Sequence, residues 1–215
     1  LDTVTIRATA ENIPGGKNPE EVSPDYIVDP DDPDAEDTLE DAAFSAGGGG
    51  ETVGIRTDEL EPNVTIDTPD LNIIGIGAQP TLLGGAGSDD SVLKIEGPGI
   101  TIENVAIDAA EDAKYGIYTE GTDTVVKDCT VKNTDRSGGF GSSFGIVALT
   151  SDGPTSVTVE NCILRNHEFG VFISGDGGKR AHANVKNNYI NQVNRGINTN
   201  NILGSATVDG EEYGN

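Results

Sequence analysis

The sequence predicts an all-β solenoid, because two short phrases recur along its second half. The first phrase is VKDCTVKN at 126–133, VENCILRN at 159–166 and VKNNYINQ at 185–192, with a fainter copy, IENVAIDA, at 102–109. The second is a Gly followed by an apolar residue or two, and it recurs at Gly116, Gly145, Gly170 and Gly196. A repeat of about 25 residues is typical of a solenoid, in which each turn buries its apolar side chains by stacking on its neighbours.

The content of the repeat indicates the kind of solenoid. Segments 100–102, 156–159 and 183–185 are short and rich in β-branched residues, which excludes helical repeats. The apolar positions are mostly Ile and Val rather than the Leu ladder of leucine-rich repeats. Over about residues 50–215 the chain resembles the right-handed parallel β-helix proteins of the pectate-lyase-like group. This resemblance implies a right-handed parallel β-helix solenoid with a short N-terminal capping helix and an N-terminal extended strand.

In such a fold, equivalent residues of successive coils stack as ladders. Asp128, Asn161 and Asn187 share one position of the first phrase. We expect them at a corner where the backbone is left-handed, a conformation that Asn tolerates better than most residues. Asn133 and Asn166 form a candidate second ladder.

Cys129 and Cys162 also occupy equivalent positions and are expected to lie one above the other. One interpretation is a disulfide that locks two coils, as an oxidising exterior would favour. The other is a ladder of small buried side chains, because Cys is among the most buried residue types. In-register parallel neighbours have poor disulfide geometry, so free stacked thiols are favoured.

The N-terminal part differs from the repeats. Residues 1–10 alternate apolar and polar side chains as a half-buried strand does, and Val4, Ile6 and Ala8 are its candidate assembly residues. A Pro-rich acidic stretch then leads to residue 37. Thr38 is a predicted N-cap, with Asp41 at the capping-box position of a helix over about 38–46. The predicted organisation is therefore a strand and arm at 1–37 and a β-helix at 38–215.

The C-terminal end is expected to lack a cap. After 205–209 the sequence has no amphipathic helix and no strongly polar segment. An open β-helix end exposes strand edges and the apolar interior. Either the sequence is trimmed from a longer protein, or another subunit or the first strand of a neighbouring copy covers this end, the latter by strand addition.

Composition restricts the partners. The chain has 13 basic and 37 acidic residues, a net charge of −24, and neither Met nor Trp. This charge argues against binding to nucleic acid or to anionic membranes, and no apolar run predicts membrane insertion. Such acidity keeps a protein hydrated in high salt, and the sequence resembles haloarchaeal secreted proteins. An extracellular, cell-surface or virion location is expected, and an ordinary acidic mesophilic protein is the alternative.

The resemblance also raises the question of catalysis. Lyases of this fold hold Ca²⁺ with clustered carboxylates and use Arg or Lys as a base, whereas the polygalacturonase-like hydrolases carry Asn-Thr-Asp, Asp-Asp, Gly-His-Gly and Arg-Ile-Lys. Neither set is complete here. The signature of the epimerases of this fold, Tyr-Gly followed by an acidic-Pro-His run, is also absent after Tyr115-Gly116. The sequence therefore favours a protein that is not an enzyme. If a catalytic face exists, its candidates are acidic and basic groups able to share proton transfer: Asp135, Arg136, His167, Glu168, Lys179 and Arg195.

Two further motifs are weaker. Asp29, Asp31 and Asp34 offer alternate carboxylates to Ca²⁺, but prolines and the missing turn glycine favour a solvated linker. No other cofactor is expected. Asn63 begins an Asn-Val-Thr glycosylation sequon.

These observations predict an extracellular structural or adhesive β-helix of a halophile. It would assemble with itself, as a filament or surface-layer component, through the N-terminal strand and the open C-terminal coil. A carbohydrate-active protein related to polysaccharide lyases and hydrolases is the first alternative, with a surface polysaccharide as partner. A spike or decoration protein of a halophilic virus is the second.

Overall fold

The structure is a computed structural model that describes residues 23–56, 63–84, 91–135, 143–150, 153–200 and 204–214. These residues form one short helix and eighteen strands. In chain order they are β1 (Tyr26–Val28), α1 (Leu39–Ala46), β2 (Thr52–Ile55), β3 (Val64–Ile66), β4 (Asn72–Gly75), β5 (Thr81–Leu83), β6 (Ser91–Ile95), β7 (Thr101–Glu103), β8 (Ala106–Asp108), β9 (Tyr115–Thr119), β10 (Thr124–Lys127), β11 (Thr130–Lys132), β12 (Phe144–Leu149), β13 (Thr155–Glu160), β14 (Ile163–Ser174), β15 (Ala181–Lys186), β16 (Tyr189–Asn200), β17 (Gly204–Val208) and β18 (Glu211–Gly214).

The strands form a right-handed parallel β-helix of about six turns, which confirms the predicted fold class. The first sheet has the order β1-β2-β4-β7-β10-β13-β15-β17-β18. The second sheet has two rows, β3-β6-β9-β12 and β5-β8-β11, which are joined because the long strand β14 pairs with both β12 and β11. Strand β16 pairs along β14. The strands of successive described coils pair in parallel, and β14 and β16 each run through both rows of the second sheet.

The core is a set of apolar ladders inside the coils. In the first sheet, one ladder joins residues in register across six strands: Ile73, Ile102, Val126, Val159, Val185 and Val208. The first three are fully buried. Burial of each such side chain contributes about 1.5–3 kcal/mol relative to exposure. The repeated Ile and Val positions of the sequence therefore hold the coils together.

Helix α1 covers the N-terminal end, as predicted. The Asp41 NH donates to Thr38 Oγ1 at 3.0 Å, and Gly47 ends the helix with a φ of 69°. Leu39 and the alanines of the helix are buried. Glu40 Oε1 accepts the NH of Thr65 at 2.7 Å, so the helix also satisfies the edge of β3. No helix of the described residues is long and apolar enough to cross a membrane.

Strand β1 lies within the segment that the sequence analysis assigns to the acidic arm, yet it joins the first sheet. Tyr26, Ile27 and Val28 pair in parallel with Val53, Gly54 and Ile55 of β2. Val28 is fully buried against the core. The solenoid therefore takes in part of the acidic arm, because two or three apolar residues are enough to add a strand to an existing sheet edge.

The C-terminal end of the first sheet differs from expectation. Strand β18 folds back and pairs antiparallel with β17. Asp209 and Gly210 join the two strands, with φ values of 46° and 93°. A two-residue Asp-Gly turn with both φ values positive is the type that matches the twist of a β-hairpin. The edge of β17 is therefore paired, and β18 becomes the last strand of this sheet among the described residues.

The corners have left-handed backbones at the positions of the first phrase. Asp128, Asn161 and Asn187 have φ values of 53°, 54° and 52°. Asn104, in the fainter copy, has a φ of 56°. This is the conformation expected for the corner ladder, and it explains why Asn or Asp recurs there.

A second corner ladder is connected through side chains. Asn166 Nδ2 donates to Asn133 Oδ1 at 3.0 Å, and Asn133 Nδ2 donates to Asp108 Oδ1 at 2.9 Å. Lys132 Nζ lies 2.9 Å from Asp108 Oδ2. Burial acts to raise the pKa of Asp108, but hydrogen bonds from Lys132, Asn133 and the Ala110 NH outweigh it, so the pKa lies below its ordinary value.

Cys129 and Cys162 are both buried and free, which agrees with the stacked-thiol alternative. Their Sγ atoms donate to the carbonyls of Lys127 and Glu160, each at 3.2 Å. Burial, together with the neighbouring Cys129 thiol, raises the pKa of Cys162 well above its ordinary value. Cys162 therefore does not offer a reactive thiolate.

Candidate functional site

A cluster of aromatic side chains lies on the outside of the second sheet, apart from the interior core. We call it the aromatic face; it comprises Tyr115, Tyr118, Phe144, Phe169 and Phe172, with Val147 and Leu149 packed among the rings. The Phe144 ring is its centre. It stacks on Phe169 at 5.1 Å between centroids and contacts Tyr115 and Phe172 at 5.3 and 5.0 Å.

Strand register explains why these rings meet. Tyr115 on β9, Phe144 on β12 and Phe169 on β14 are direct partners in neighbouring strands, and Arg195 on β16 follows in the same column. Three residues further along each strand, Tyr118, Val147 and Phe172 form a second column. Parallel strands lie about 4.8 Å apart, so the rings of one column are within stacking distance.

A ladder of close backbone contacts separates the aromatic columns from the core. A Cβ on Gly116 would lie 2.7 Å from the Gly145 carbonyl oxygen, and a Cβ on Gly145 would lie 2.7 Å from that of Gly170. A Cβ on Gly170 would lie 2.6 Å from the Gly196 carbonyl oxygen. Packing therefore requires Gly at the first three of the four repeat positions, Gly116, Gly145 and Gly170.

Part of the aromatic face is accessible. Phe144 and Phe169 are 6% and 3% exposed, and Val147 is fully buried. Tyr115, Tyr118 and Phe172 are half-buried. The inner rings therefore form a floor, and the outer three rings are the surface that a ligand would touch.

Three basic side chains border the rings. Lys114 Nζ lies 4.9 Å from the Tyr115 centroid and 5.9 Å from that of Phe144. Arg195 Cζ lies 5.7 Å from the Phe169 centroid, and Lys94 Nζ lies 6.0 Å from that of Tyr118. These distances are in the range of cation–π contacts. Lys94 also forms an ion pair with Glu96.

One end of the face meets an acidic cleft. The Tyr118 hydroxyl donates to Glu120 Oε1 at 2.9 Å. Glu120 follows Glu96 by one coil, since its NH donates to the Ile95 carbonyl at 2.9 Å. The open cleft beside them has a volume of about 370 Å³ and is lined by Glu96, Pro98, Glu120, Gly121, Thr122, Gly153 and Pro154.

A buried polar network lies beside the aromatic floor. His167 is fully buried, with Nδ1 2.8 Å from Thr134 Oγ1 and Nε2 2.9 Å from the Val131 carbonyl oxygen. Thr134 Oγ1 is in turn 2.6 Å from Ser143 Oγ, which accepts the Glu168 NH at 3.2 Å. Ser143 directly precedes Phe144.

The structure distributes the candidate catalytic residues over several environments. His167 and Glu168 are buried, at 0% and 4% exposure. Arg195 borders the aromatic face, and Lys179 belongs to the turn between β14 and β15, where its NH donates to the Asp176 carbonyl. The Asp135 NH donates to the Ala113 carbonyl. Arg136 is outside the described residues.

The remaining candidates are placed as follows. Asp29 accepts the NH of Asp31 at 3.3 Å in a turn, and the described residues include no group of three or more His, Cys, Asp or Glu arranged to hold a metal ion. Asn63 is exposed, with a φ of 64°. The assembly residues Val4, Ile6 and Ala8 lie outside the described residues.

Sequence reasoning missed the aromatic face, although a signal for it exists. The residue before each repeated Gly is Tyr115, Phe144, Phe169 or Arg195. Tyr118 and Phe172 follow two of these glycines by two positions. An aromatic residue at the same offset in three consecutive repeats predicts a stacked column, once the repeat is known to be a rung of a parallel sheet.

No protein-family model matches the chain, and no curated protein matches it significantly. Among solved structures, it is similar to a pectin methylesterase variant in complex with a hexasaccharide. The TM-score is 0.51 and the identity 13%, over 87% of this chain and 62% of that one. It is also similar to YbhC of Escherichia coli, with a TM-score of 0.53 and 10% identity over 96% of this chain and 69% of that one. The chain thus spans about six tenths of the pectin methylesterase chain.

These likenesses are of fold, and they agree with the geometry described above. The stacked rows, the Asn and Asp corners and the helix at the N-terminal end are all parts of one architecture. The chain is therefore a right-handed parallel β-helix.

Proposed function

We propose that the chain binds an extended polysaccharide on its aromatic face. The observation that carries the proposal is the pair of aromatic columns formed by Tyr115, Phe144 and Phe169 and by Tyr118 and Phe172. Apolar patches at a protein surface mark interaction sites. The C–H faces of sugar rings pack against aromatic rings, while the sugar hydroxyls stay in water. Rings that are half-buried on a rigid sheet lose little side-chain entropy when a ligand covers them.

The bordering cations favour an acidic sugar. The chain has 13 basic residues against 37 acidic ones, yet Lys114 and Arg195 both lie within 6 Å of the rings. Charges act over about 8 Å at physiological ionic strength. These two groups would therefore attract a sugar carboxylate at the column of Tyr115, Phe144 and Phe169, whereas Glu120 would repel one at Tyr118, to whose hydroxyl it is hydrogen-bonded. Lys94 contributes less, because Glu96 is paired with it.

The similarity to known structures supports the same class of ligand. One of the similar solved structures is a pectin methylesterase bound to a hexasaccharide. Since proteins of one fold often differ in function, this support is an analogy. The contacts of the aromatic face are the physical argument.

The test is affinity electrophoresis in gels that contain polygalacturonate or a neutral glucan. We expect polygalacturonate to retard the chain and the neutral glucan to retard it less. Phe172→Ala and Tyr118→Ala should each weaken binding about tenfold, because each removes a ring from the exposed part of the face. Lys114→Gln should weaken binding to polygalacturonate and leave the neutral glucan unaffected.

Two matched controls lie elsewhere. Phe44→Ala removes a ring that is 85% exposed on α1, and Lys186→Gln removes a cation of the first sheet. Both should bind as the wild type does. The proposal is wrong if neither polymer retards the chain, or if Phe172→Ala binds as tightly as Phe44→Ala.

A second candidate is self-assembly into a structural or adhesive layer. The observation that favours it is β16, the last strand of its row among the described residues. Its twelve residues include Arg195 but no acidic residue, although the chain has a net charge of −24. Edge strands are usually protected by charge, and without carboxylates this edge would repel a second copy less than the rest of the surface does.

Light scattering and negative-stain imaging at molar salt test this candidate, with and without residues 1–10. Filaments or oligomers that disappear on deletion would support assembly through the N-terminal strand. A monomer in both samples would exclude it. This candidate also includes an extracellular location and a halophilic source, both of which are inferred from the acidic composition of the chain.

A further inference from the structure

The buried network around His167 connects two neighbouring coils at the base of the aromatic face. Thr134 follows β11, Ser143 precedes β12 and His167 lies in β14. All three side chains are fully buried. The network is fixed at both of its ends by the backbone, at the Val131 carbonyl and at the Glu168 NH.

The hydrogen-bond directions follow from the partners. The Val131 carbonyl can only accept, so His167 Nε2 carries a hydrogen and donates to it. In the neutral ring, Nδ1 then accepts from the Thr134 hydroxyl, and Thr134 is free to accept from Ser143. Ser143 accepts the Glu168 NH in turn. The Thr134 and Ser143 hydroxyls therefore each donate one hydrogen bond and accept one. Rotation of either hydroxyl would break a hydrogen bond to its neighbour in the network.

This chain of hydrogen bonds ends at the stacked phenylalanines. Ser143 is bonded to Phe144 in the chain, and its carbonyl accepts the NH of Phe169 at 3.0 Å. His167 lies two residues before Phe169 on the same strand. The distance between the two rings thus depends on Ser143, and the position of Ser143 depends on Thr134 and His167.

We propose that His167 is a positioning residue for the aromatic face: through Thr134 and Ser143 it fixes Phe144 against Phe169, and the outer rings rest on that pair. The proposal rests on the proposed binding function for its ligand. Tyr115 and Phe172 both pack on Phe144. A displaced Phe144 would move them out of the column that a sugar chain would cover. His167 itself touches no ligand, because it is fully buried.

The experiment compares His167→Phe with His167→Gln. Phenylalanine keeps an aromatic ring of similar size but removes the donor and the acceptor, whereas glutamine keeps one donor and one acceptor side by side. We expect His167→Phe to weaken polygalacturonate binding about tenfold and His167→Gln to stay within about twofold of the wild type. If His167→Phe does not fold, Thr134→Val breaks the same chain of hydrogen bonds with almost no change in shape, and the same loss is expected.

Asn188→Ala is the matched structural control. Asn188 is also buried, and it holds the Cys162 NH at 2.7 Å and the Val159 carbonyl at 2.8 Å. Its loss should lower the midpoint of thermal unfolding by an amount similar to that of His167→Phe, without weakening binding. Equal loss of binding in Asn188→Ala would show that general destabilisation is responsible, and would overturn the proposal.

A second measurement needs no ligand. The chain has five phenylalanines, so NMR spectra of phenylalanine-labelled protein resolve the ring signals of Phe144 and Phe169. These signals should shift in Thr134→Val, which breaks the chain of hydrogen bonds without adding a ring, and stay unchanged in Asn188→Ala. If the wild type binds no polysaccharide, the proposed function fails while the ring signals still decide the positioning role. Unchanged ring signals in Thr134→Val would overturn that role.

Discussion

The rings of Phe144 and Phe169 stack with centroids 5.1 Å apart and planes inclined by 13°. They come from adjacent strands at the same register position, on the outside of a solenoid whose inside is also apolar. Two apolar layers therefore sit on opposite sides of one sheet. The inner layer is the core that the stacked coils bury. The outer layer, the aromatic face, lies apart from that core.

Phe144→Ala should destabilise the chain. Phe144 is 6% exposed and packs against Tyr115, Phe169 and Phe172. Removal of a buried ring typically costs about 3–5 kcal/mol, and we expect the low end because the surrounding rings can partly fill the space. Urea unfolding measures the change. Phe44→Ala, at an 85% exposed position, should change the free energy of unfolding by less than about 0.5 kcal/mol.

Gly145→Ala should destabilise the chain more than Gly196→Ala, although both positions belong to the same repeat phrase. A Cβ on Gly145 would lie 2.7 Å from the Gly170 carbonyl oxygen and 2.9 Å from His167 Cδ2. A Cβ on Gly196 would meet no atom of the described residues within 4 Å. Overpacking typically costs about 1–3 kcal/mol. Equal unfolding midpoints for the two variants would contradict the glycine ladder.

Asp108→Asn should change how stability depends on pH. The pKa of Asp108 is lower in the folded chain than its ordinary value of about 3.9. A carboxylate of this kind stabilises the fold above the unfolded-state pKa, and the contribution is lost as the pH falls through the folded-state pKa. The wild type should therefore be more stable than Asp108→Asn near pH 7, and the two should converge below about pH 3.

Chemical denaturation at a series of pH values measures this difference. Asp112→Asn removes a carboxylate from the same turn region at an exposed position, and so controls for the loss of one negative charge. A stability difference between wild type and Asp108→Asn that stays constant from pH 7 to pH 3 would contradict the role of the Lys132 and Asn133 hydrogen bonds.

The two thiols should be unreactive in the folded chain. Cys129 and Cys162 are buried, and burial raises the pKa of Cys162. Because the thiolate is the reactive form, a thiol reagent at pH 8 should label neither residue until the chain unfolds. Ser45→Cys places a thiol at an exposed position of α1 and should be labelled at once. Fast labelling of Cys162 in the folded chain would contradict this account.

Thr38→Ala should destabilise the capping helix. Thr38 Oγ1 accepts the Asp41 NH and donates to Asp41 Oδ2, at 3.0 and 2.8 Å. Loss of an N-cap hydroxyl costs about 1 kcal/mol. Thr38→Ser keeps the hydroxyl and should recover most of the stability. Thermal unfolding followed by circular dichroism distinguishes the two variants, and equal midpoints would rule out the cap.

The sequence predicted the features that repeat. The corner was predictable from Asp128, Asn161 and Asn187, because a left-handed backbone favours the same residue types in every coil. The start of the helix was predictable from Thr38 and Asp41, because the capping interactions join residues within one turn of the helix. The hairpin at Asp209-Gly210 could also be predicted from sequence, because an Asp-Gly pair favours a two-residue hairpin turn. The repeat phrase does not extend to this pair and so gives no indication of it.

The sequence by itself determined the solenoid, its corners and its capping helix, because periodic burial and local backbone preference are written in consecutive residues. Only the tertiary structure decided which side of each strand a ring occupies, and that Phe144, Phe169 and Arg195 form one column. It also decided that His167 is fully buried and is connected through Thr134 to Ser143. These relationships join residues about 25 positions apart, and their register is set by the stacking of whole coils.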